Sequence, residues 1–153
     1  MKISNFKFQI IPAVLIIFFA AILRLMPHPA NFVPIAALAL FGGVYLDKRV
    51  AFILPIAAML ITDMILGFHA SMLAVYGSFL ITVGIGLWVK NHKSFTTVIA
   101  ASLTSSIVFF ILTNFNFWYA HALYPKTMSG LFMSYVNAIP FFRNTVLGDL
   151  FYT

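Results

Sequence analysis

One acidic residue of this chain, Asp63, lies where a carboxylate is most able to do chemistry. It separates two uncharged and mainly apolar stretches, residues 50–62 and 64–89. A carboxylate inside a membrane helix costs about 2.5–3.5 kcal/mol on insertion scales, and ionisable groups at such positions are candidates for function. Gly67 follows four residues later on the same helical face and would allow a ligand or a helix to approach closely. Asp63 is therefore a candidate ligand group, but a structural ion pair with Arg24 or a helix cap explains it equally well.

An amide and an indole form a second candidate feature. Asn114 and Trp118 stand four residues apart, on one face of a helix. Amides in membrane helices seek hydrogen-bond partners, so a flat ligand stacked on Trp118 and bonded to Asn114 would use both side chains. The alternative for Trp118 and its neighbour Tyr119 is an aromatic belt at the membrane interface.

Histidines suggest a third kind of site. His28, His69 and His121 lie in three separate polar segments, and imidazole is a ligand for several transition metals. They have none of the spacings of metal-binding motifs, so interfacial histidine without a metal is the alternative. The sequence also has no nucleophile elbow, no phosphate-binding glycine loop and no paired carboxylates. We therefore expect neither an enzyme nor a resident cofactor.

The composition identifies the kind of protein that must position these groups. Apolar residues make up 63% of the 153 residues and charged residues only 8%, against roughly 45–50% and 25% in soluble domains. This excludes a water-soluble enzyme and a disordered chain. The absence of cysteine excludes a disulfide-stapled domain and a thiolate metal site. A polytopic α-helical membrane protein remains.

Charges and helix-breaking residues divide the chain into candidate spans. A spanning helix needs about 20 apolar residues. The predicted helices are residues 8–25, 32–46, 50–66, 71–89 and 95–117. After them, residues 128–142 are predicted to form an amphipathic or re-entrant segment, and residues 145–153 to begin a sixth helix. The expected fold is a single all-α transmembrane domain over residues 1–153, with five spans and a partial sixth that lacks most of its length.

Basic residues set the predicted orientation. With a cytoplasmic N-terminus, the inner side holds six of them (Lys2, Lys7, Lys48, Arg49, Lys90 and Lys93). The outer side then holds Arg24 and Lys126, and this bias fits the positive-inside rule. The net charge of +6 is then explained by contact with anionic lipid, so no nucleic-acid partner is expected. The polar loops at residues 24–31, 67–70 and 117–127 come to lie outside.

Four segments carry a family resemblance. They are residues 24–43 (RLMPHPANFVPIAALALFGG), 62–69 (TDMILGFH), 112–115 (LTNF) and 138–152 (AIPFFRNTVLGDLFY). They resemble a family of small bacterial membrane proteins related to the S components of energy-coupling-factor (ECF) vitamin transporters, which include solitary cobalamin transporters. The resemblance implies six helices in the bacterial cytoplasmic membrane, both termini inside, and an outer pocket for a vitamin-like molecule, with cobalamin as one candidate.

Two departures refine that expectation. The solitary cobalamin transporters look like cysteine-dependent cobalt binders, whereas this chain has no cysteine. By position, His69 could replace the thiolate as a cobalt ligand, and a corrinoid would then be a substrate, not a cofactor. The predicted first helix lacks the Ala-x3-Ala surface with which S components often dock, since Ala13, Ala20 and Ala21 are not four apart. Solitary operation is therefore favoured over an ECF coupling module.

The leading hypothesis is a substrate-binding transporter component with a pocket at the outer face. Its predicted ligand-binding residues are Arg24, His28, Asn31, Asp63, Gly67, His69, Asn114, Trp118 and Tyr119. One alternative is a membrane scaffold or assembly subunit that packs through Gly42-Gly43 and Gly84-x-Gly86. Another is a transition-metal permease that uses the three outer histidines.

Overall fold

The computed structural model of the chain describes the backbone of residues 3–153 and the side chains of residues 10–153. Within this part the regular structure is entirely α-helical. The six helices are α1 (Ile3–Leu25), α2 (Ile35–Tyr45), α3 (Lys48–Leu66), α4 (Met72–Val89), α5 (Phe95–Ala120) and α6 (Met128–Tyr152). The first five agree closely with the predicted segments, and the ends at Leu25, Leu66 and Val89 coincide with the prediction.

Side-chain caps explain why α3 and α5 begin where they do. The Asp47 carboxylate accepts a hydrogen bond from the Arg49 amide at the start of α3. The Ser94 hydroxyl accepts one from the Thr97 amide at the start of α5. Such N-cap bonds satisfy amides that have no partner inside the helix. Polar residues at the loop ends therefore determine where the apolar helices that follow begin.

The prediction for the end of the chain was wrong. A single helix of 25 residues, α6, runs through both the supposed re-entrant segment and the supposed partial helix. Pro140 and Arg143 suggested a break between two segments, but Pro140 is accommodated inside α6 and Arg143 is exposed on its surface. The helix is held instead by one continuous buried face, which recurs at helical spacing against α5. The buried residues of that face include Ser134, Ala138, Thr145 and Asp149.

Helix α2 is unusually short and begins later in the sequence than predicted. Its 11 residues span about 16 Å, roughly half of the bilayer core. It begins at Ile35, three residues later than predicted, because residues 26–34 form an irregular loop. We call these residues the first loop. The Asn144 amide donates to the Ala30 carbonyl at 3.1 Å, and Phe32 packs on Gly148, so this loop is held against α6.

Three helices have the length and composition expected of membrane spans. The helices α3, α4 and α5 are each long and apolar enough to cross a membrane, and the described part of α1 and all of α2 are shorter apolar helices. Large apolar side chains such as Phe18, Ile53 and Phe132 are exposed on the outside of the bundle. An apolar exterior of this kind suits lipid, in which the helix backbone satisfies its own hydrogen bonds.

A glycine seam joins α2 to α4. A Cβ atom built on Gly43 would meet the backbone of Val83 and Gly86, and one built on Gly86 would meet the backbone of Leu40 and Gly43. Small residues let membrane helices approach closely in this way. The close packing predicted for Gly43 and Gly86 is therefore present, but it lies inside the chain and is not offered to a partner. Gly84, by contrast, faces open space.

Candidate functional site

Asp63 lies at the centre of a buried polar cluster near the C-terminal end of α3. Its side chain is 1% exposed, and its Oδ1 accepts a hydrogen bond from Arg24 Nη2 at 2.7 Å. Its Oδ2 accepts one from the Tyr76 hydroxyl at 2.6 Å. Arg24 Nη1 also donates to the Thr62 hydroxyl. We call Arg24, Thr62, Asp63 and Tyr76 the Asp63 cluster.

The cluster explains how an acid is tolerated inside this bundle. Desolvating a carboxylate is expensive unless a counter-charge and further hydrogen bonds compensate it, and Arg24 and Tyr76 supply both. They come from α1 and α4, so the cluster joins three helices at one end of the bundle. The ion pair that the sequence offered as one explanation of Asp63 is present. His69 lies at its edge, with Nε2 at 3.9 Å from Asp63 Oδ2.

A cavity of about 410 Å³ lies at the same end of the bundle. It is bounded by α5 and α6, by the first loop and by residues 121–127, which connect α5 to α6. We call it the outer cavity. The lining residues are Ala30, Asn31, Phe109, Phe110, Thr113, Asn114, Phe117, Leu123, Tyr124, Ser134, Asn137, Ala138, Phe141, Phe142 and Thr145. Six of these side chains are aromatic, three are amides, three are hydroxyls, and none is charged.

The polar groups of the outer cavity are held in place by their own helices. The Thr113 and Thr145 hydroxyls donate to the carbonyls of Phe109 and Phe141, at 2.7 and 3.0 Å. The Asn114 amide donates to the Phe110 carbonyl at 2.8 Å. These bonds use donor hydrogens and leave acceptor oxygens on the side chains.

Tyr124, in the loop between α5 and α6, is held against α6 at the cavity wall. Asn137 Nδ2 donates to the Tyr124 hydroxyl at 3.1 Å, and the Tyr124 ring meets the Phe117 ring edge-on. Asn137 itself extends from α6. The cavity wall is thus formed jointly by α5, α6 and the loop between them.

The structure divides the predicted ligand residues between two places. Asn31 and Asn114 line the outer cavity. Arg24 and Asp63 belong to the Asp63 cluster, with His69 beside them. The sequence placed all five in one pocket, but helix packing separates the α1–α3–α4 cluster from the α5–α6 cavity.

Trp118 and Tyr119 do not line the outer cavity. Trp118 Nε1 donates to the Pro125 carbonyl at 2.8 Å, and Lys126 lies over the indole, 5.6 Å from its centre. Lys126 also donates to the Trp118 carbonyl. Trp118 therefore fastens the loop between α5 and α6, while the side chain of Tyr119 is 69% exposed.

The remaining predicted residues have local roles. His28 is hydrogen-bonded to the Arg24 and Pro29 carbonyls. Gly67 ends α3 with a φ of 99°, which favours glycine. His121 is bonded to the Phe117 carbonyl, so His28, His69 and His121 lie in separate contacts. Among the described residues, no group of three or more His, Cys, Asp or Glu side chains could hold a metal ion.

Sequence reasoning missed most of the α6 side of the cavity. Ser134, Asn137 and Thr145 were read as parts of a broken segment, so their common helical face was hidden. Their spacing of three and eight residues places them within about 80° of one another on a continuous α-helix. A continuous helix would therefore have revealed the polar stripe.

This geometry is that of an α-helical bundle compatible with a membrane, with a buried ion pair and an uncharged polar cavity at one end. The chain belongs to a family of unknown function, DUF6580, whose model matches residues 4–153. Searches among curated proteins and among solved structures found no match. The family match assigns no activity, so the resemblance to S components remains a prediction.

Proposed function

We propose that the chain is the substrate-binding component of a membrane uptake system and takes a small organic molecule into the outer cavity. The observation that carries this proposal is the cavity itself, with aromatic walls and a few fixed polar groups. Ligand pockets typically occupy about 300–1,000 Å³ and combine an apolar lining with a small number of placed polar groups. The outer cavity, at about 410 Å³, has that size and that chemistry.

The lining favours a small, neutral and flat substrate. Aromatic side chains stack on planar rings, and no charged side chain lines the outer cavity to balance an ionic ligand. Its volume is near the lower end of the range for drug-sized ligands, whereas a corrinoid is a much larger molecule. His69 also lies at the Asp63 cluster and not in the cavity. We therefore favour a vitamin-sized heterocycle over cobalamin.

The direction of transport in this proposal rests on the basic residues. The cavity lies at the end that carries the first loop and residues 121–127, and the positive-inside count assigns this end to the outside. In a bacterial cytoplasmic membrane, the cavity would receive its substrate from outside. Reorientation of the bundle would then carry the substrate inward, with no covalent chemistry in this chain.

Solitary operation agrees with the packing of α1. Ala13, Ala20 and Ala21 are all buried within the chain, so they do not form an exposed small-residue surface for a coupling subunit. The glycine seam is also internal, which removes one argument for a scaffold subunit. We accordingly retain the transporter proposal, with the lipid bilayer and a small molecule as the partners of the chain.

A thermal-shift screen of the purified protein in detergent tests the proposal. A ligand at one hundred times its Kd should stabilise the protein by about 2.7 kcal/mol, which is readily seen as a rise in Tm. We expect at least one vitamin-sized heterocycle to raise Tm in a saturable manner. If no such compound does so, and a protein partner co-purifies in a fixed ratio instead, the scaffold alternative replaces the transporter.

A further inference from the structure

The third acid of the chain, Asp149, lies one helical turn beyond Thr145, which lines the outer cavity. Its side chain is 3% exposed and extends from the buried face of α6. The Ser106 hydroxyl donates to Asp149 Oδ2 at 2.6 Å. Among the described residues, Oδ1 receives no hydrogen bond, and the only ion pairs found are those of Asp63. Asp149 therefore has one acceptor oxygen to spare.

A small space lies in front of this acid. A cavity of about 30 Å³ is lined by Asp149 and by Ala36, near the start of α2. We call it the deep cavity, and its volume is sufficient for one water-sized group. The α2 N-terminus has no side-chain cap. The positive end of its helix dipole favours a negative charge on Asp149.

The deep cavity adjoins the outer one. Asn31, Phe109 and Thr145 line both of them. A ligand in the outer cavity would reach Asp149 by passing a single small substituent between these three side chains. Because the spare oxygen is an acceptor, that substituent should be a hydrogen-bond donor.

The walls of the outer cavity also favour a ligand that donates hydrogen bonds. The hydroxyls of Thr113, Ser134 and Thr145 donate to helix carbonyls, so their oxygens remain as acceptors. The amides of Asn114 and Asn137 use a donor hydrogen in contacts within the protein. The cavity thus offers more acceptors than donors to a ligand, and its six aromatic rings select planar molecules over polyols of similar size.

We propose that the substrate of the outer cavity is a planar nitrogen heterocycle with an amino group. The ring occupies the outer cavity, and the amino group enters the deep cavity and donates a hydrogen bond to Asp149. This inference rests on the proposed function and deepens it by naming a substrate class. It also makes Asp149 a specificity-determining residue. A buried polar site of this kind rejects an analogue that lacks the donor, because the acceptor is then left unpaired.

Pairs of isosteric probes test the substrate class. We would titrate the purified protein with adenine and with the purine in which a methyl group replaces the amino group, and likewise with diaminopyrimidine and dimethylpyrimidine. A hydrogen bond to a charged acceptor is worth about 1.5–3 kcal/mol, so the amino compound should bind at least about tenfold more tightly. Asp149→Asn should reduce that preference at least about threefold, because the acceptor becomes neutral.

A matched control separates the charge of Asp149 from its position. Asp47→Asn removes the same charge far from the cavity and retains a good N-cap for α3, so it should leave the amino preference unchanged. If Asp149→Asn does not fold, Thr145→Val removes a hydroxyl shared by both cavities and should weaken binding of the amino compounds. The preference of the native protein is measurable in either case.

The outcomes distinguish the two proposals. Equal binding of the amino and methyl isosteres, or tighter binding of a polyol, overturns the substrate class while leaving the transporter proposal intact. An amino preference that survives unchanged in Asp149→Asn overturns the role of Asp149. Failure of every heterocycle to bind, with or without an amino group, counts against the proposed function itself.

Discussion

The guanidinium of Arg24 and the carboxylate of Asp63 lie 2.7 Å apart in the interior of the bundle. Arg24 is the last basic residue of α1 and Asp63 lies one turn before the end of α3, so the pair joins the same end of both helices. The Tyr76 hydroxyl adds α4 to this contact. The connection holds α1, α3 and α4 together at the end of the bundle where the outer cavity opens between α5 and α6.

Removal of the arginine should destabilise the protein strongly. Arg24→Met leaves the Asp63 carboxylate buried without a counter-charge, and breaking a buried pair in this way costs about 3–5 kcal/mol. Thermal or denaturant unfolding in detergent measures the loss. Arg49→Met, at an exposed position, is the matched control and should change stability by less than about 0.5 kcal/mol. An Arg24→Met protein as stable as this control would show that the pair does not hold the helices together.

The tyrosine of the cluster should have a smaller and separable effect. Tyr76→Phe removes only the donor to Asp63 Oδ2, and a hydrogen bond to a charged group contributes about 1.5–3 kcal/mol. Tyr119→Phe deletes a hydroxyl from a side chain that is 69% exposed and should leave the unfolding free energy unchanged. Equal stabilities of the two variants would argue against a structural role for the Tyr76 hydroxyl.

The glycine seam predicts opposite results for two glycines of similar sequence context. Gly86→Ala places a methyl group against the backbone of α2, and overpacking of this kind costs about 1–3 kcal/mol. Gly84→Ala fills open space and should be neutral or stabilising by up to about 1 kcal/mol, because alanine favours a helix. The measurement is the free energy of unfolding of each variant, compared with that of the native protein. A Gly84→Ala protein less stable than Gly86→Ala would contradict the packing of α2 on α4.

The orientation can be tested without first removing any native thiol, because the chain has no cysteine. Lys126→Cys should react with a membrane-impermeant maleimide in intact cells. Lys93→Cys should react only after the membrane is opened. The reverse pattern would place the outer cavity on the cytoplasmic side and contradict the proposed direction of uptake.

The helix boundaries were largely predictable because their signals are local. Charges and cap residues stand at the ends of the apolar stretches, and the structure has α1 and α3 ending at the predicted Leu25 and Leu66. The α6 boundary was missed because Pro140 was given more weight than the buried stripe around it. A proline removes one backbone hydrogen bond, and tertiary packing on α5 can sustain the helix through it.

The site was predictable only in part, since apolar helices do not reveal which way they face. Asp63 and Arg24 could be paired because both are rare charges near the same membrane face. Tyr76 could not be assigned to them, because α4 is apolar on nearly every side. Likewise, the spacing of Asn114 and Trp118 gives a shared helical face, but not the loop carbonyl that Trp118 binds. Those choices depend on neighbours distant in the sequence.

The central claim, that the outer cavity binds a small organic molecule, is tested most directly by a titration with the tightest ligand of the screen. Ala138 is buried on the cavity wall, so Ala138→Phe fills the space, while Ala120→Phe adds the same ring at an exposed helix end. By isothermal calorimetry, the native protein and Ala120→Phe should bind with equal Kd, and Ala138→Phe should lose at least about tenfold in affinity while remaining folded. Unchanged binding by a folded Ala138→Phe protein would contradict the account.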